Sequence, residues 1–128
     1  WNWPRLEILA QIGSHARAVV DNRRAFVRAL HDAGAPLLLA TESGIGRTQP
    51  GVSLHQEMAQ FEAAGLPMQE VLRIATEEAA RFLGAEDDFG RVEVGLAADL
   101  LLVGTNPVEE MATVASPVAV VVGGTRVR

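Results

Sequence analysis

Residues 37–46 read Leu-Leu-Leu-Ala-Thr-Glu-Ser-Gly-Ile-Gly. An apolar run ends in a carboxylate, Glu42, and two glycines follow around an isoleucine. Apolar side chains on consecutive positions predict a strand covered on both faces, as in a parallel sheet. In parallel α/β sheets and barrels, ligands and catalytic groups gather at the carboxyl ends of strands. Glu42 therefore stands where chemistry is expected. An ordinary loop residue would look the same locally, so the flanking chain has to decide.

Upstream, DNRRAFVRALHDAG places Phe26, Ala29, Leu30 and Ala33 at helical spacing,. Gly34 is expected to cap that helix and Pro36 to keep it from continuing. PRLEILAQIG is helix-like too, with Leu6, Leu9 and Ile12 on one side and an open boundary to the next segment. Downstream of the Gly- and Pro-rich loop, Ser53 followed by Gln56 reads as a capping box. The helix it opens places Leu54, Met58 and Phe61 on one face, and Gly65 ends it. The strongest periodicity is Met68, Val71, Leu72, Ala75, Ala79, Phe82 and Leu83, closed by Gly84,. After Gly90 the pattern changes to short aliphatic runs, RVEV, DLLLV and VAVVV, separated by turn residues,. Gly123-Gly124 between VAVVV and TRV fits the primed turn of a tight hairpin. Residues 1–88 are expected to be helical around one buried strand, and residues 89–128 to form a small β region.

The chain has 128 residues, 48% hydrophobic and 21% charged, enough for one packed domain,. Its net charge of −5 argues against nucleic-acid or anionic-membrane binding, which need clustered cations,. All eleven basic residues are Arg, so lysine chemistry is excluded. The absence of Cys excludes disulfides, thiolate metal sites and a cysteine nucleophile,. No apolar run approaches the roughly 20 residues of a membrane span, and a soluble, cytoplasmic protein is the expectation. The opening WNWPRLEIL, without Met or a signal-peptide pattern, is what a piece of a longer chain would show,.

Few motifs carry chemistry by themselves. His15, His31 and His55 form no HxH or HExxH pair, so local spacing shows no metal site,. His55 alone sits close to the Glu42 loop, in the first turn of the next helix. Ser53 and His55 are two apart on a helix and point in different directions, and no nucleophile elbow surrounds the serine. Gly44-Ile45-Gly46 lacks the third glycine of a dinucleotide fingerprint, position 49 being Gln,. Asp99 and Asn106-Pro107 are explained as turn residues. One functional signal survives this reading: a carboxylate at a strand's carboxyl end, beside a Gly-rich loop.

The order of the pieces resembles a known family. AGAPLLLATESG is similar to the last barrel strand of metal-dependent amidohydrolases. PGVSLHQEM with AGLPMQEVLRIAT and AARFLG resembles the two helices that follow in the imidazolonepropionase- and prolidase-like branch. GRVEVGLAADLLLVGTNPVEEM and VAVVVGGTRV resemble that chain's return into its β-sandwich. The resemblance implies a fragment of a (β/α)8 TIM barrel, its last strand and helices, followed by C-terminal strands of a small sandwich. It implies a hydrolase of C–N bonds that uses a divalent metal, usually zinc, and a proton-shuttling carboxylate at the position of Glu42. The family residue there is Asp, one methylene shorter. Arg47 and His55 become substrate-loop candidates, and Glu42 a metal ligand in a complete barrel only. The HxH pair and the other metal ligands of the family are missing, so the chain alone is expected to bind no metal and to be inactive. Its expected partner is the rest of the barrel or a second copy. The alternative is a stand-alone, non-catalytic oligomerisation module derived from the same fold.

Overall fold

The computed structural model describes residues 5–43 and 48–128, with the backbone only for residues 5–12. The elements are α1 (Arg5–Asp32), α2 (Ser53–Ala63), α3 (Met68–Arg73), a π-helical turn (Ile74–Glu78) and α4 (Ala79–Phe82). β1 (Leu100–Leu102), a 3-10 turn (Met111–Ala115), β2 (Ala119–Val122) and β3 (Thr125–Arg126) follow. The fold is thus helices followed by a small antiparallel sheet in the order β1-β2-β3. Among the described residues, no helix is long and apolar enough to cross a membrane.

α1 is one helix of 28 residues, so the two helical patterns upstream join without a break. It ends as Gly34 predicts. Gly34 takes φ +72, its N–H donates to the carbonyl of His31, and Ala35 N–H donates to Leu30. This is a Schellman cap, which needs a left-handed residue that glycine adopts without a Cβ penalty. The same pair of bonds closes α2 at Gly65, where Leu66 and Phe61 meet in the core.

That core is built from Met58, Phe61, Leu66, Met68, Val71 and Ile74, with Val71 and Ile74 almost fully buried. Val27 of α1, Leu37 and Leu39, and Met111 and Val114 of the 3-10 turn pack against it. The 3-10 turn thereby ties the β region to the helices. Polar links add to the α1–α2 contact. Arg24 donates to Gln60 Oε1 from Nε (3.1 Å) and Nη2 (2.8 Å), and Arg28 Nη1 donates to the Gly65 carbonyl at 2.6 Å.

Several expectations change. Residues 37–40 pair with no other strand among the described residues. Leu37 and Leu39, two apart, pack on the helical core, while Ala40 is exposed and Leu38 half-buried. One face is covered where two were expected, because the ladder that would make a strand requires neighbours on its edges. RVEV forms no strand either, and Val92 and Val94 are exposed. On α1, Val27 and Leu30 turn inward while Phe26 stays 65% exposed, so the helix is as expected but its packed face is rotated.

The last helical stretch shows why a regular periodicity misled. Met68, Val71 and Leu72 pack as expected, but beyond the π-helical turn Ala80 is buried and Phe82 is 74% exposed. A π turn inserts an extra residue into the helix, so every later side chain advances around the axis. An unbroken α period cannot anticipate that shift.

The hairpin matches its sequence. Gly123 (φ +53) and Gly124 (φ +78) both take positive φ between paired Val122 and Thr125, as a type I′ turn requires,. Asp99 Oδ1 accepts the Gly123 N–H at 2.7 Å, and Asn106 Oδ1 accepts the Val108 N–H at 3.1 Å. Both residues serve turns.

Candidate functional site

The segment after the α1 cap runs across the core on Leu37 and Leu39 and emerges at Thr41. There the backbone departs from ordinary geometry. Glu42 is exposed and takes φ +46, the one non-glycine residue with positive φ among those described. Left-handed backbone costs an L-residue about 1–2 kcal/mol, and such outliers cluster at functional sites. Thr48 Oγ1 donates to the Glu42 carbonyl at 2.9 Å. Thr41 Oγ1 and Ser43 Oγ, on either side of Glu42, are hydrogen-bonded at 2.7 Å.

A cleft of about 470 Å³ opens beside this loop, lined by Ala40, Thr41, Thr48, Ser53, Gln56, Glu57 and Gln60. α2 supplies its far wall because Ser53, Glu57 and Gln60 recur at helical spacing, while Met58 and Phe61 reach into the core,. Burial in this wall pushes the Glu57 carboxyl above the ordinary glutamate range,.

Ser53 is not the helix cap that its spacing to Gln56 predicts. Val52 occupies the cap position, and Ser53 Oγ donates back to the Gln49 carbonyl at 2.7 Å. Its hydroxyl proton is therefore committed to the backbone rather than to a neighbouring base. His55 is half-buried in the first turn of α2 and is not part of the cleft wall. Arg47 lies outside the described residues. Sequence reasoning passed over Thr41, Ser43, Thr48 and Glu57. Hydroxyls flanking a strand-end carboxylate, and a Ser53–Glu57 spacing of four, were the available signals.

A second polar cluster lies by the start of the same segment. Arg73 donates to Glu70 from Nε (2.9 Å) and Nη2 (2.6 Å), and also pairs with Glu78, which Arg81 contacts as well. Hydrogen bonds from Arg73 hold the Glu70 carboxyl below the usual range, and bonds from Arg81 and Arg73 do the same for Glu78. His31 Nε2 approaches Glu70 Oε1 at 3.8 Å. These charges satisfy one another, which is the arrangement of a structural ion network.

A metal has few donors to choose from. Among the described residues no group of three or more His, Cys, Asp or Glu is placed to hold an ion. Glu42 offers one carboxylate, and the described residues by themselves do not fit a catalytic metal, which needs about three protein ligands.

The chain of packed helices followed by a small antiparallel sheet has counterparts among known proteins. Residues 8–127 match the model of the amidohydrolase family. An imidazolonepropionase of Rhizobium rhizogenes is 37% identical over 86 residues, 66% of this chain and 21% of that protein. One from Legionella pneumophila (strain Corby) is 40% identical over 76 residues, covering 57% of this chain and 18% of that one. A Bifidobacterium longum structure provisionally assigned as a prolidase superposes with TM-score 0.74 at 30% identity, over 79% of this chain and 25% of that one. A Xaa-Pro dipeptidase with bound methionine in its active site superposes with TM-score 0.72 at 26% identity, over 80% and 25% of the two chains. The chain belongs to the amidohydrolase family. It spans about a fifth of the length of the curated relatives it matches.

Proposed function

We propose that these residues are the C-terminal part of a metal-dependent hydrolase of C–N bonds, amide, lactam or peptide-like, in which Glu42 handles the proton. In this reading residues 1–88 close a (β/α)8 barrel, with the segment ending at Glu42 as its last strand. Residues 89–128 complete a small β-sandwich. The observation that carries the reading is Glu42 itself: an exposed carboxylate on left-handed backbone, at the end of a segment whose apolar side chains pack on the helices. The half-buried Leu38 and the edges of that segment, unpaired among the described residues, fit a strand whose neighbours come from the rest of the barrel.

The divalent metal, zinc by family resemblance, belongs to the whole protein, with Glu42 contributing one carboxylate and the remaining ligands coming from outside these residues. In the assembled site Glu42 takes a proton from the attacking water and returns it to the leaving nitrogen, the work of a general base turned acid. Imidazolonepropionase and Xaa-Pro dipeptidase relatives point to small C–N substrates rather than large polymers. Arg47 and His55 stand as residues of the substrate side. The test is Glu42→Gln in the full-length protein. Its kcat should fall on the order of a hundredfold or more with the fold intact. Unchanged turnover removes Glu42 from the chemistry.

A second reading rests on the sheet. Leu101 and Leu102 are 52% and 60% exposed, and among the described residues one edge of β1 is unpaired. An open apolar edge favours association, so a self-associating, non-catalytic module would use this sheet. A monomer by sedimentation at micromolar concentration would dismiss it.

A further inference from the structure

We propose that the hydroxyls of Thr41, Ser43 and Thr48 form a clasp that fixes the backbone of Glu42 in its left-handed turn and so aims its carboxylate. The inference rests on the role proposed above for Glu42 and adds the residues that position it.

A glutamate with positive φ persists only where its surroundings over-determine the conformation. Regular structure does not do so here. Among the described residues, 35–43 belong to no helix or ladder beyond the α1 cap, and α2 begins only at Ser53. Side chains supply the constraint instead. Thr48 reaches back across the loop to donate to the Glu42 carbonyl at 2.9 Å, six residues earlier in the chain. The Thr41–Ser43 hydroxyl bond at 2.7 Å spans Glu42 from its two neighbours and shortens the chain around it. One bond holds the carbonyl and the other holds both flanks, so rotation of φ or ψ at Glu42 breaks at least one of them. Thr41 and Thr48 also line the cleft shared with α2, which joins the clasp to the wall of the proposed site.

The clasp matters more for a long side chain than for a short one. A glutamate carries its carboxylate roughly 1.5 Å further from the backbone than an aspartate would. A misplacement of about 1 Å can cost on the order of a hundredfold in rate. Turning the backbone into the left-handed region swings Cβ out of the direction it takes in extended chain, so whatever holds that backbone also sets where the long side chain carries its carboxylate. The three hydroxyls are positioning residues, since they act through Glu42 rather than on substrate.

The experiment uses the full-length protein and compares Thr48→Val, Thr48→Ser and Glu42→Gln on one C–N substrate that the wild type hydrolyses. Thr48→Val, which keeps the shape and removes the donor, should lower kcat about tenfold or more with KM within about twofold. Thr48→Ser should recover most of that loss, which a purely structural role of the threonine methyl would not allow. Should Thr48→Val fail to fold, Thr41→Val removes the other bond and is expected to lower kcat in the same way. Wild-type kcat in every threonine variant that folds, with Glu42→Gln inactive, overturns the clasp and leaves the role of Glu42 standing. Full activity in Glu42→Gln overturns the underlying reading instead, and the clasp with it.

Discussion

Gly90 is the position where a single methyl group should matter most. It joins the helical part to the β region at φ +110, and a Cβ built there would lie 2.6 Å from Ala80 Cβ, 3.2 Å from the Thr76 carbonyl oxygen and 3.5 Å from Glu77 Cα. None of these atoms can swing aside. Ala80 is 1% exposed, and the other two belong to the backbone of the π-helical turn. Normal carbon contacts are about 3.5–4.0 Å, so Gly90→Ala forces a shift of about 1 Å between two packed segments. Overpacking of that kind costs about 1–3 kcal/mol. The positive φ adds about 1–3 kcal/mol, less up to about 1 kcal/mol for the stiffer unfolded chain. These ranges add to about 1–6 kcal/mol, centred on about 3–4 kcal/mol. Gly84→Ala is the control, since Gly84 also has positive φ (+65) but no atom within 4 Å of its would-be Cβ. It should lose about 1 kcal/mol. For a chain of this size each kcal/mol lowers Tm by about 3–5 °C, so the two variants should melt roughly 10 °C apart by calorimetry or circular dichroism. Equal melting temperatures would refute the close approach of Gly90 to the helix.

Ile74→Ala, at a position 1% exposed, should cost about 2–5 kcal/mol in urea unfolding,. Leu101→Ala on the exposed sheet should cost less than about 1 kcal/mol in the same assay if that face is open to solvent,. Burial raises the Glu57 carboxyl above its ordinary 4.5, so its stabilising proton is held below that pH and the benefit is lost as pH rises through the folded value,. Glu57→Gln should therefore be more stable than wild type at pH 7 and equal to it near pH 3; a constant difference would contradict the burial. Glu70 and Glu78 are held below 4.5 by Arg73 and Arg81, so their contribution is present above that value and lost as pH falls through the folded one,. Arg73→Met should flatten that acid limb of the stability curve, and an unchanged limb would remove the network from stability.

Much of the helical part is legible in the residues because local physics decides it. Gly34 and Gly65 cap helices where the chain needs positive φ, and Gly123-Gly124 turn the hairpin for the same reason. Met58, Phe61, Met68 and Val71 fall on the buried faces that their spacing implies. The exceptions depend on what periodicity cannot see. Phe82 is turned outward by the π-helical turn that immediately precedes α4, and Ser53 bonds back to Gln49 while Val52 occupies the cap position. The apolar run at 37–40 has strand composition, but pairing is decided by its neighbours and not by its own side chains. At the site, Glu42 was visible as a carboxylate after an apolar run. Its left-handed backbone and the hydroxyls that hold it depend on the return of Thr48 across the loop, which no local spacing encodes.

The central claim is that this family member works as the C-terminal part of a larger hydrolase. The most direct measurement is the reading frame upstream of the Trp1 codon in the source gene. The account predicts that the frame continues through the roughly 250 residues of a barrel, with an HxH pair at the end of an early strand. A start codon immediately before Trp1, with no such pair in frame, would contradict it.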